Sequence, residues 1–450
     1  MTDAPDIAAG RLSAAELAEH FGDAHPPLDG RQALIEASRC YFCYDAPCVE
    51  ACPTSIDIPA FIKSIATGNT RGAATTILDQ NIMGGMCARV CPVEELCEEA
   101  CVRNTAEDKP VTIGLLQRHA TDSLFASNHR PFTRAVPTGK RVAVVGAGPA
   151  GMSCAHRLAM KGHEVDVYEA RAKGGGLNEY GIAAYKVPFD FAQKELDFIL
   201  SIGGINLKTG ARLGDGLSLA DLRRDYDAVF LGIGHNAVRA LGIEGEEMGG
   251  VLNAVDYIAE LRQATDLSAL PVGRRVVVIG GGNTAIDIAT QTKRLGAEDV
   301  TIVYRRGPDN MSATWKEQEW AQTNGVKIKY WAMPRRLIGW PANGGGQHVK
   351  EIEFEYTQLD ADGRLAGTGD RFTLLADQVF KAVGQMLVAD GLTAEPLDLQ
   401  GDRIAVNADR QTSLAGVWAG GDCVPGTDLT VHAVEDGKIA AEAIDRVLRG

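Results

Sequence analysis

The sequence predicts an α/β protein. Two Rossmann-like nucleotide-binding units, one inserted in the other, follow an N-terminal helical domain rich in cysteine. Two glycine-rich turns, each between an apolar strand and a helix, predict the units and begin at Gly146 and Gly280. Eight of the ten cysteines lie between Cys40 and Cys101, ahead of both turns. A third glycine turn, at Gly420 and Gly421, indicates that the first unit is completed near the C-terminus.

These signals divide the chain into four expected segments. They are a helical domain at 1–135, the first part of the outer nucleotide unit at 136–262, the inserted unit at 263–388, and the second part of the outer unit at 389–450.

Composition narrows the class of protein. A length of 450 residues with 45% hydrophobic residues suits several packed domains. The net charge of −14 argues against nucleic acid and anionic membranes as partners. No apolar run approaches the roughly 20 residues of a membrane span, and the first residues lack a signal-peptide pattern. We therefore expect a cytoplasmic protein, in which cysteines are more often ligands or free thiols than disulfides.

The N-terminal region is expected to begin flexibly, with a short amphipathic helix at 13–21, before two groups of cysteines. Helical patterns at 59–67 and 70–80 separate the groups. Such close spacing lets several thiolates meet at one centre. A Cys-x2-Cys pair followed by Cys-Pro is typical of iron–sulfur clusters. Two four-thiolate zinc sites and scattered core cysteines are the alternatives. The groups are Cys40, Cys43, Cys48 and Cys52, then Cys87, Cys91, Cys97 and Cys101.

The first nucleotide unit has every part of a dinucleotide-binding fingerprint. A strand at 142–145 enters the turn, a helix follows at 152–161, and a second strand at 164–168 ends at Glu169. The glycines permit a tight turn, close approach of a pyrophosphate and close helix packing, while the acid accepts hydrogen bonds from a ribose. A merely structural turn is the alternative. The candidate residues here are Gly146, Gly148, Pro149, Ala150, Gly151 and Glu169.

Further residues of the same site are expected from two later stretches. A glycine-rich loop at 174–188 precedes a helix at 190–202, and a buried strand is predicted within 227–234. Near the C-terminus, a strand at 417–419 runs into two glycines and an acid that can bond a ribityl hydroxyl, and a helix begins at about 430. The candidates are Gly176, Leu177, Lys186, Gly421, Asp422 and Thr430.

The inserted unit repeats the pattern with a different ending. A strand at 276–279, a helix at 286–295 and a strand at 301–304 lead to Arg305 and Arg306 in place of an acid. Arginine there accommodates a 2′-phosphate; a solvated basic pair is the alternative. The sheet is expected to continue through 352–356 and 378–383. The candidates are Gly280, Gly282, Asn283, Thr284, Ala285, Arg305, Arg306 and Gly384.

With these motifs in view, the chain from about Arg31 resembles the flavoprotein subunits, of the PreT type, of bacterial NAD-dependent dihydropyrimidine dehydrogenases. It is also similar to the N-terminal half of the eukaryotic enzyme and to the small subunit of glutamate synthase. The sequences CPTSIDIPAFI, from Cys52, and TVHAVEDGK carry the resemblance, as do the five residues between Cys91 and Cys97. The glutamate synthase group typically has three residues there.

The resemblance implies FAD on the outer unit, NAD(P)H on the inserted unit and two [4Fe–4S] clusters. Cluster 1 would take Cys40, Cys43, Cys48 and Cys101. Cluster 2 would take Cys52, Cys91, Cys97 and Gln117, which leaves Cys87 unligated. The alternative for Gln117 is an ordinary surface position on a helix.

The resemblance also implies an electron relay. The chain would oxidise NAD(P)H at FAD and pass single electrons to a partner subunit that carries FMN and further clusters, in an α2β2 heterotetramer, for reduction of uracil or thymine. The fused enzymes, which use NADPH, carry a further arginine beyond the basic pair. The corresponding sequence here, GPDNMSA, has none, which favours NADH. The rival function is the NADPH-oxidising small subunit of a glutamate synthase. A disulfide reductase is disfavoured, because the inserted unit has no CxxC, and a non-enzymatic iron–sulfur scaffold would need no nucleotide sites.

Overall fold

The computed structural model describes residues 5–450, apart from 128, 236, 342–345, 389, 393–394 and 396. The chain forms two compact units. We call residues 25–179, 189–236 and 387–450 the outer unit. We call residues up to 24 together with 180–188 and 237–386 the inserted unit. The finer division into four segments remains a prediction.

The outer unit is built on a five-stranded parallel sheet. Its strands run in the order Val417–Ala419, Ala228–Leu231, Arg141–Val145, Glu164–Glu169 and Ile205–Thr209. The C-terminal strand therefore forms one edge of a sheet whose other strands come from residues 141–231. The expectation that this unit is split in sequence is confirmed. Its later helices are Pro149–Met160, Leu177–Tyr180, Phe191–Leu200, Leu219–Asp225 and Thr430–Arg449.

The cysteine-rich helices belong to this same compact unit. Lys438, on the C-terminal helix, donates through Nζ to the carbonyl oxygens of Thr54 at 3.0 Å and Gln80 at 3.3 Å. The Phe125 ring packs edge-on against Phe198, with centroids 4.9 Å apart. These contacts join the cysteine region to the outer sheet. Its helices are Gly30–Ala37, Pro47–Glu50, Ile58–Ala66, Thr70–Gln80, Gly84–Val90, Val102–Glu107 and Ile113–Ala126, with a 3-10 turn at Val93–Glu95.

The inserted unit contains a second five-stranded parallel sheet. The strand order is Lys327–Lys329, Asp299–Val303, Arg275–Gly280, Gln378–Ala382 and Val251–Asn253. Alternating buried residues such as Val276, Val278 and Ile302 pack against the helix Asn283–Arg294. The unit's other helices are Ala14–His20, Ala254–Gln263 and Trp315–Thr323, with 3-10 turns at Leu267–Ala269 and Pro308–Asn310.

One predicted strand of the inserted sheet lies elsewhere. Residues 352–356 belong to Gln347–Leu359, the middle strand of a separate antiparallel sheet with Ala332–Pro341 and Leu365–Leu375. The prediction that 352–356 continues the parallel sheet is wrong. A strand with alternating apolar residues has the same sequence pattern in a parallel sheet and in an antiparallel sheet. Antiparallel pairing with strands that are neighbours in the sequence needs only short connections.

The start of the described chain is ordered against the inserted unit. Ile7–Ala8 pairs antiparallel with Val272–Gly273, so the expected flexible start is wrong for these residues. The helix that follows is confirmed and begins with a Ser13–Glu16 capping box. Short strand pairs also join Ala237–Val238 to Gln385–Met386, Arg212–Leu213 to Gly216–Leu217, and Leu399–Gln400 to Arg403–Ile404, and a 3-10 turn lies at Asp390–Leu392. Among the helices described, none has the length and apolar character needed to cross a membrane.

Candidate flavin, nucleotide and cluster sites

The glycine turn of the outer unit is fixed by close backbone contacts. Gly146 has a φ of +101°, and a Cβ there would lie 2.2 Å from the Gly232 carbonyl oxygen. A Cβ on Gly151 would lie 1.9 Å from the Gly146 carbonyl oxygen. Gly148 is the N-cap residue of the helix Pro149–Met160, and it has no side chain to accept a hydrogen bond from the first N–H groups of the helix. The first N–H groups of this helix can therefore face an anionic phosphate.

Glu169 is held at the end of the second strand. Its carboxylate accepts hydrogen bonds from the backbone N–H groups of Ala147, at 2.9 Å, and Arg171, at 2.8 Å. The residue is buried. The bond to Ala147 ties the acid directly to the glycine turn, as a ribose-binding acid beside a pyrophosphate site requires.

The C-terminal stretch packs against this turn. A Cβ on Gly437 would lie 2.1 Å from the Ala150 carbonyl oxygen, and the Ser153 hydroxyl donates to the Val434 carbonyl oxygen at 2.7 Å. Gly421, with a φ of +77°, lies beside Ala150 and donates its N–H to Asp436 at 2.9 Å. The structure therefore brings Gly421 to the glycine turn.

Asp422 is the titratable group of this end of the site. Burial raises its pKa to about 6, and the nearby Asp428 carboxylate adds to the rise, while the Arg403 guanidinium opposes it. A half-buried carboxylate is suited to accept hydrogen bonds from ligand hydroxyls.

The glycine-rich loop at 174–178, which we call the flavin loop after its predicted role, lies against the first glycine turn. Gly176 has a φ of +55°, and a Cβ there would lie 2.8 Å from the Gly148 Cα atom. Leu177 is partly exposed. The Thr430 hydroxyl donates to Asn178 Oδ1 at 2.9 Å. Sequence reasoning missed Asn178 and Asp436, because neither belongs to the dinucleotide fingerprint.

Lys186 has a different environment from the other predicted flavin residues. It belongs to the inserted unit, where its ammonium nitrogen lies 2.7 Å from carboxylate oxygens of both Asp287 and Glu317. These carboxylates raise the pKa of Lys186, although its burial opposes that shift. Two ion pairs with its own unit occupy this side chain.

The second glycine turn repeats the geometry of the first. Gly280 has a φ of +151°, and a Cβ there would lie 2.1 Å from the Ala382 carbonyl oxygen. Gly282 precedes the helix Asn283–Arg294 without a side-chain cap. Sequence reasoning missed Gly281, where a Cβ would lie 2.5 Å from the Tyr304 ring. Asn283, Thr284 and Ala285 form the first turn of that helix.

The basic pair at the end of the second strand faces outward. Arg305 and Arg306 are exposed, and neither makes an ion pair with another described residue. Their backbone is fixed, because the Thr357 hydroxyl donates to the Arg305 carbonyl oxygen at 2.7 Å. Gly384 has a φ of +94° and accepts from Arg239 N–H at 3.1 Å.

Three cysteines of the first group and Cys101 of the second line one largely apolar cavity. Burial raises the pKa of the Cys40 and Cys48 thiols, that of Cys48 to about 12, and neighbouring sulfurs add to the rise. Such thiols lose their protons readily only when metal charge compensates the buried thiolates. The cavity's four sulfur residues are Cys40, Cys43, Cys48 and Cys101, as the resemblance implies for cluster 1.

The second group meets around Cys91. Its thiol lies next to Cys87 and near Cys97 and Cys52, and these neighbouring sulfurs together with burial raise its pKa. Gln117 is buried, against the alternative of a surface position. Its amide nitrogen donates to the Gly84 carbonyl oxygen at 2.7 Å, a bond that does not use the amide oxygen.

The cysteine groups do not form a site for a single metal ion. Among the residues that the structure describes, no three His, Cys, Asp or Glu side chains converge tightly enough to share one ion. Ligands of a four-iron cluster each bind a different iron, so they lie farther apart than the ligands of one ion. Two sets of neighbouring thiols fit that arrangement.

A buried contact path joins the flavin loop to the second cysteine group. Asn178, which holds Thr430, donates through Nδ2 to the Met83 sulfur at 3.6 Å. Met83 N–H donates to Asn81 Oδ1 at 3.0 Å, and Asn81 Nδ2 donates to Cys87 Sγ at 3.2 Å. The second cysteine group is therefore next to the flavin loop.

Comparison with known proteins agrees with both parts of the chain. Residues 17–129 match the family described as dihydropyrimidine dehydrogenase domain II, 4Fe-4S cluster. Residues 140–437 match the pyridine nucleotide-disulphide oxidoreductase family.

Two full-length relatives have similar sequences throughout. The NAD-dependent dihydropyrimidine dehydrogenase subunit PreT of Salmonella typhimurium is 35% identical over 92% of this chain and 94% of that protein. The glutamate synthase [NADPH] small chain of Escherichia coli is 35% identical over 94% of this chain and 93% of that protein.

Solved structures show the same fold. FprA of Mycobacterium tuberculosis, in complex with NADPH, has a TM-score of 0.57 at 21% identity, over 69% of this chain and 84% of that one. The thioredoxin reductase of T. acidophilum has a TM-score of 0.52 at 21% identity, over 68% of this chain and 99% of that one. The predicted fold class is confirmed. The chain is an oxidoreductase that belongs to the family of NAD(P)H-dependent flavin and iron–sulfur electron-transfer subunits to which PreT and the glutamate synthase small chain also belong.

Proposed function

We propose that this chain is the electron-input subunit of a dihydropyrimidine dehydrogenase. It oxidises NAD(P)H at FAD and passes electrons through two [4Fe–4S] clusters to a partner that carries FMN and reduces uracil or thymine. Bound FAD would accept one hydride, which carries two electrons, from the nicotinamide and release the electrons singly, which is the chemistry that links the two cofactor types. The proposed setting is cytoplasmic pyrimidine degradation.

The observation that carries the relay is the path from Thr430 through Asn178 and Met83 to the second cysteine group. It is buried and hydrogen-bonded within one compact unit. A flavin held by the outer turn and by Thr430 would therefore have cluster 2 as its neighbour. The proposed ligands of cluster 2 are Cys52, Cys91, Cys97 and Gln117.

The first cysteine group has the surface that an exit cluster needs. Tyr41 and Phe42 follow Cys40 in the sequence and are 53% and 39% exposed. Tyr44, which follows Cys43, is fully exposed. Phe42 has a φ of +52°, a strained conformation of the kind that accumulates at functional sites. Cluster 1, on Cys40, Cys43, Cys48 and Cys101, would deliver electrons to the partner.

The residues proposed to bind nucleotide follow from the two turns. The outer turn with Glu169 and Asp422 would hold FAD, and the inserted turn with Arg305 and Arg306 would hold the dinucleotide substrate. Two exposed arginines give a 2′-phosphate fewer charge-assisted bonds than a larger cluster would. We therefore propose NADH as the preferred reductant.

The partner decides between the two candidate functions. The PreT and glutamate synthase relatives have the same sequence identity to this chain, so overall identity does not separate the two functions. The five residues between Cys91 and Cys97 favour the dehydrogenase. We propose an FMN and iron–sulfur partner in an α2β2 assembly.

The test is anaerobic co-purification with the protein encoded beside it, followed by assays with each substrate. We expect NADH-dependent reduction of uracil by the complex but not by this chain alone. The isolated chain should contain FAD and about eight iron and eight sulfide, and should reduce an artificial acceptor. Glutamate formation from 2-oxoglutarate and glutamine would instead support the rival function. Uracil reduction by the chain alone would reject the relay.

A further inference from the structure

A short segment of the inserted unit, residues 183–186, is bonded to the helix that begins at the second glycine turn. The N–H of Ala183 donates to Asp287 Oδ2 at 3.1 Å. The N–H of Ala184 donates to Gln291 Oε1, one turn farther along the same helix, at 3.0 Å. The backbone of the segment is therefore fixed to the helix that carries the turn.

The same segment also packs against the helix Trp315–Thr323. Tyr185 is fully buried, and its ring centroid lies 5.9 Å from that of Trp320 on this helix. The Arg294 guanidinium lies over both rings, 4.5 Å from the Tyr185 centroid and 5.1 Å from the Trp320 centroid. The segment thus contacts two helices of the inserted unit at once.

Lys186 joins these two helices through ion pairs. Its ammonium nitrogen lies 2.7 Å from Asp287 Oδ1 on the first helix and 2.7 Å from both carboxylate oxygens of Glu317 on the second. Lys186 and Asp287 are buried. Charges removed from water are stable only while they stay paired, so the ammonium holds the two carboxylates, and the helices that carry them, together.

The helix that carries Glu317 follows a loop, residues 307–314, that lies against the second glycine turn. The N–H of Ala313 donates to the Gly281 carbonyl oxygen at 3.0 Å. Thr314 is the N-cap residue of the helix and accepts from the N–H of Glu317 at 3.3 Å. Glu317 therefore lies in the first helical turn after the loop, and an ion pair that fixes Glu317 also fixes the end of the loop.

We propose that Lys186 is a positioning residue for the nicotinamide nucleotide, whose ion pairs with Asp287 and Glu317 hold the loop 307–314 against the second glycine turn. This inference rests on the proposed function, which places NAD(P)H at that turn. It gives Lys186 a role other than the contact with FAD that the sequence predicts. A ligand binds more weakly in proportion to the time that its site spends in the wrong conformation. Loosening the loop should weaken NADH and NADPH alike, because it changes the position of the loop and removes no contact to the 2′-phosphate.

The experiment measures the affinity of the full chain, purified anaerobically with its FAD, for NAD+ and for NADP+ by isothermal titration calorimetry. Glu317→Ala removes the ion pair beside the loop and leaves Lys186 paired with Asp287. Glu319→Ala is the matched control, because it removes an exposed carboxylate from the same helix. Lys186→Arg is the conservative variant, because a guanidinium can pair with two carboxylates.

A charge-balanced variant covers the case in which Glu317→Ala does not fold. Lys186→Met, Asp287→Asn and Glu317→Gln, combined in one chain, remove both ion pairs without leaving an unpaired buried charge. FAD content and thermal unfolding are measured on every sample.

We expect Glu317→Ala and the charge-balanced variant to bind both nucleotides about tenfold more weakly, as for a loop that is in place for about a tenth of the time. FAD content should match the wild type. KM for NADH with an artificial acceptor should rise with little change in kcat, and hydrogen exchange of the backbone N–H groups at 307–314 should be faster. Lys186→Arg should keep most of the affinity, and Glu319→Ala should keep all of it.

Three results would overturn the inference. Unchanged affinity for both nucleotides in a folded variant would deny the ion pairs a part in nucleotide binding. Loss of FAD with unchanged nucleotide affinity would return Lys186 to the flavin site. Failure of both variants to fold would assign the ion pairs to stability alone. Failure of the proposed function is recognised separately, because the wild-type chain would then bind neither nucleotide.

Discussion

At the scale of single residues, the proposed contact of Asp422 with FAD would make flavin binding depend on pH. Its pKa is raised to about 6, so the carboxyl becomes protonated as the pH falls through that value. Protonation removes a charge-assisted acceptor for ligand hydroxyls, which contributes about 1.5–3 kcal/mol. We predict that FAD affinity falls roughly tenfold or more between pH 7.5 and 5, and that Asp422→Asn binds weakly with little pH dependence.

Fluorescence titration of apoprotein with FAD checks this prediction. Asp409→Asn is the control, because Asp409 is exposed and pairs with Arg446. An unchanged pH profile in Asp422→Asn would contradict the assignment.

Single residues also show which features a local sequence pattern can encode and which it cannot. Gly146, Gly151 and Glu169 could be predicted because the backbone geometry of a dinucleotide turn admits few alternatives. Lys186 was assigned to the flavin site from its place in a glycine-rich loop. Its ion pairs with Asp287 and Glu317 depend on helices about 100 residues later in the chain, and no local pattern encodes such a pairing.

At the scale of elements, the helix Gly84–Val90 is held by a buried carboxyl group. Glu195 accepts from Gly85 N–H at 2.8 Å and Met86 N–H at 3.1 Å. Burial raises the pKa of Glu195 to about 8, and the Asp122 carboxylate adds to the rise. The two backbone hydrogen bonds and the Arg89 guanidinium, which itself pairs with Asp122, oppose the rise. Because the folded-state pKa of Glu195 is raised, its protonated carboxyl group contributes to the free energy of unfolding. This contribution is fully present below the ordinary pKa of 4.5 and is lost as pH rises towards 8.

We predict that Glu195→Gln, which stays neutral, becomes progressively more stable relative to wild type between pH 5 and 8.5. Thermal unfolding of both proteins across that range measures the difference. Glu319→Gln, at an exposed position of the inserted unit, should show no such trend. A constant offset in Glu195→Gln would mean that Glu195 does not titrate in this window.

The elements themselves were largely predictable from periodicity and caps. The helix predicted at 70–80 matches Thr70–Gln80, which Asn69 caps, and the strand at 417–419 matches Val417–Ala419. Residues 352–356 were recognised as a strand and placed in the wrong sheet. Alternation of apolar residues reports burial on one face, but strand partners depend on the rest of the chain.

At the scale of the whole molecule, the proposed function gives the two glycine turns different roles. The outer turn would hold FAD, and the inserted turn would hold the nicotinamide nucleotide. We predict that the isolated chain uses NADH at least as well as NADPH with an artificial acceptor. Replacing Arg305 and Arg306 by Ala should raise KM for NADPH several-fold more than KM for NADH, because the lost charges are those proposed to bind the 2′-phosphate. Steady-state kinetics with both nucleotides provide the measurement.

Arg364→Ala is a suitable control for charge, since Arg364 is exposed on the antiparallel sheet region of the same unit. Equal effects of the arginine replacements on both nucleotides would favour the alternative of a solvated basic pair. A strong NADPH preference in the wild type would revive the glutamate synthase function.

The bonds from Lys438 to Thr54 and Gln80 constrain the order of events during synthesis on the ribosome. Lys438 is made 384 residues after Thr54, which is roughly 20–80 s at ordinary rates of translation. Throughout that delay the nascent cysteine region lacks this support, and the outer sheet lacks its edge strand Val417–Ala419. Native packing of the segment that contains Thr54 and Gln80 can therefore be completed only after the C-terminal helix is made.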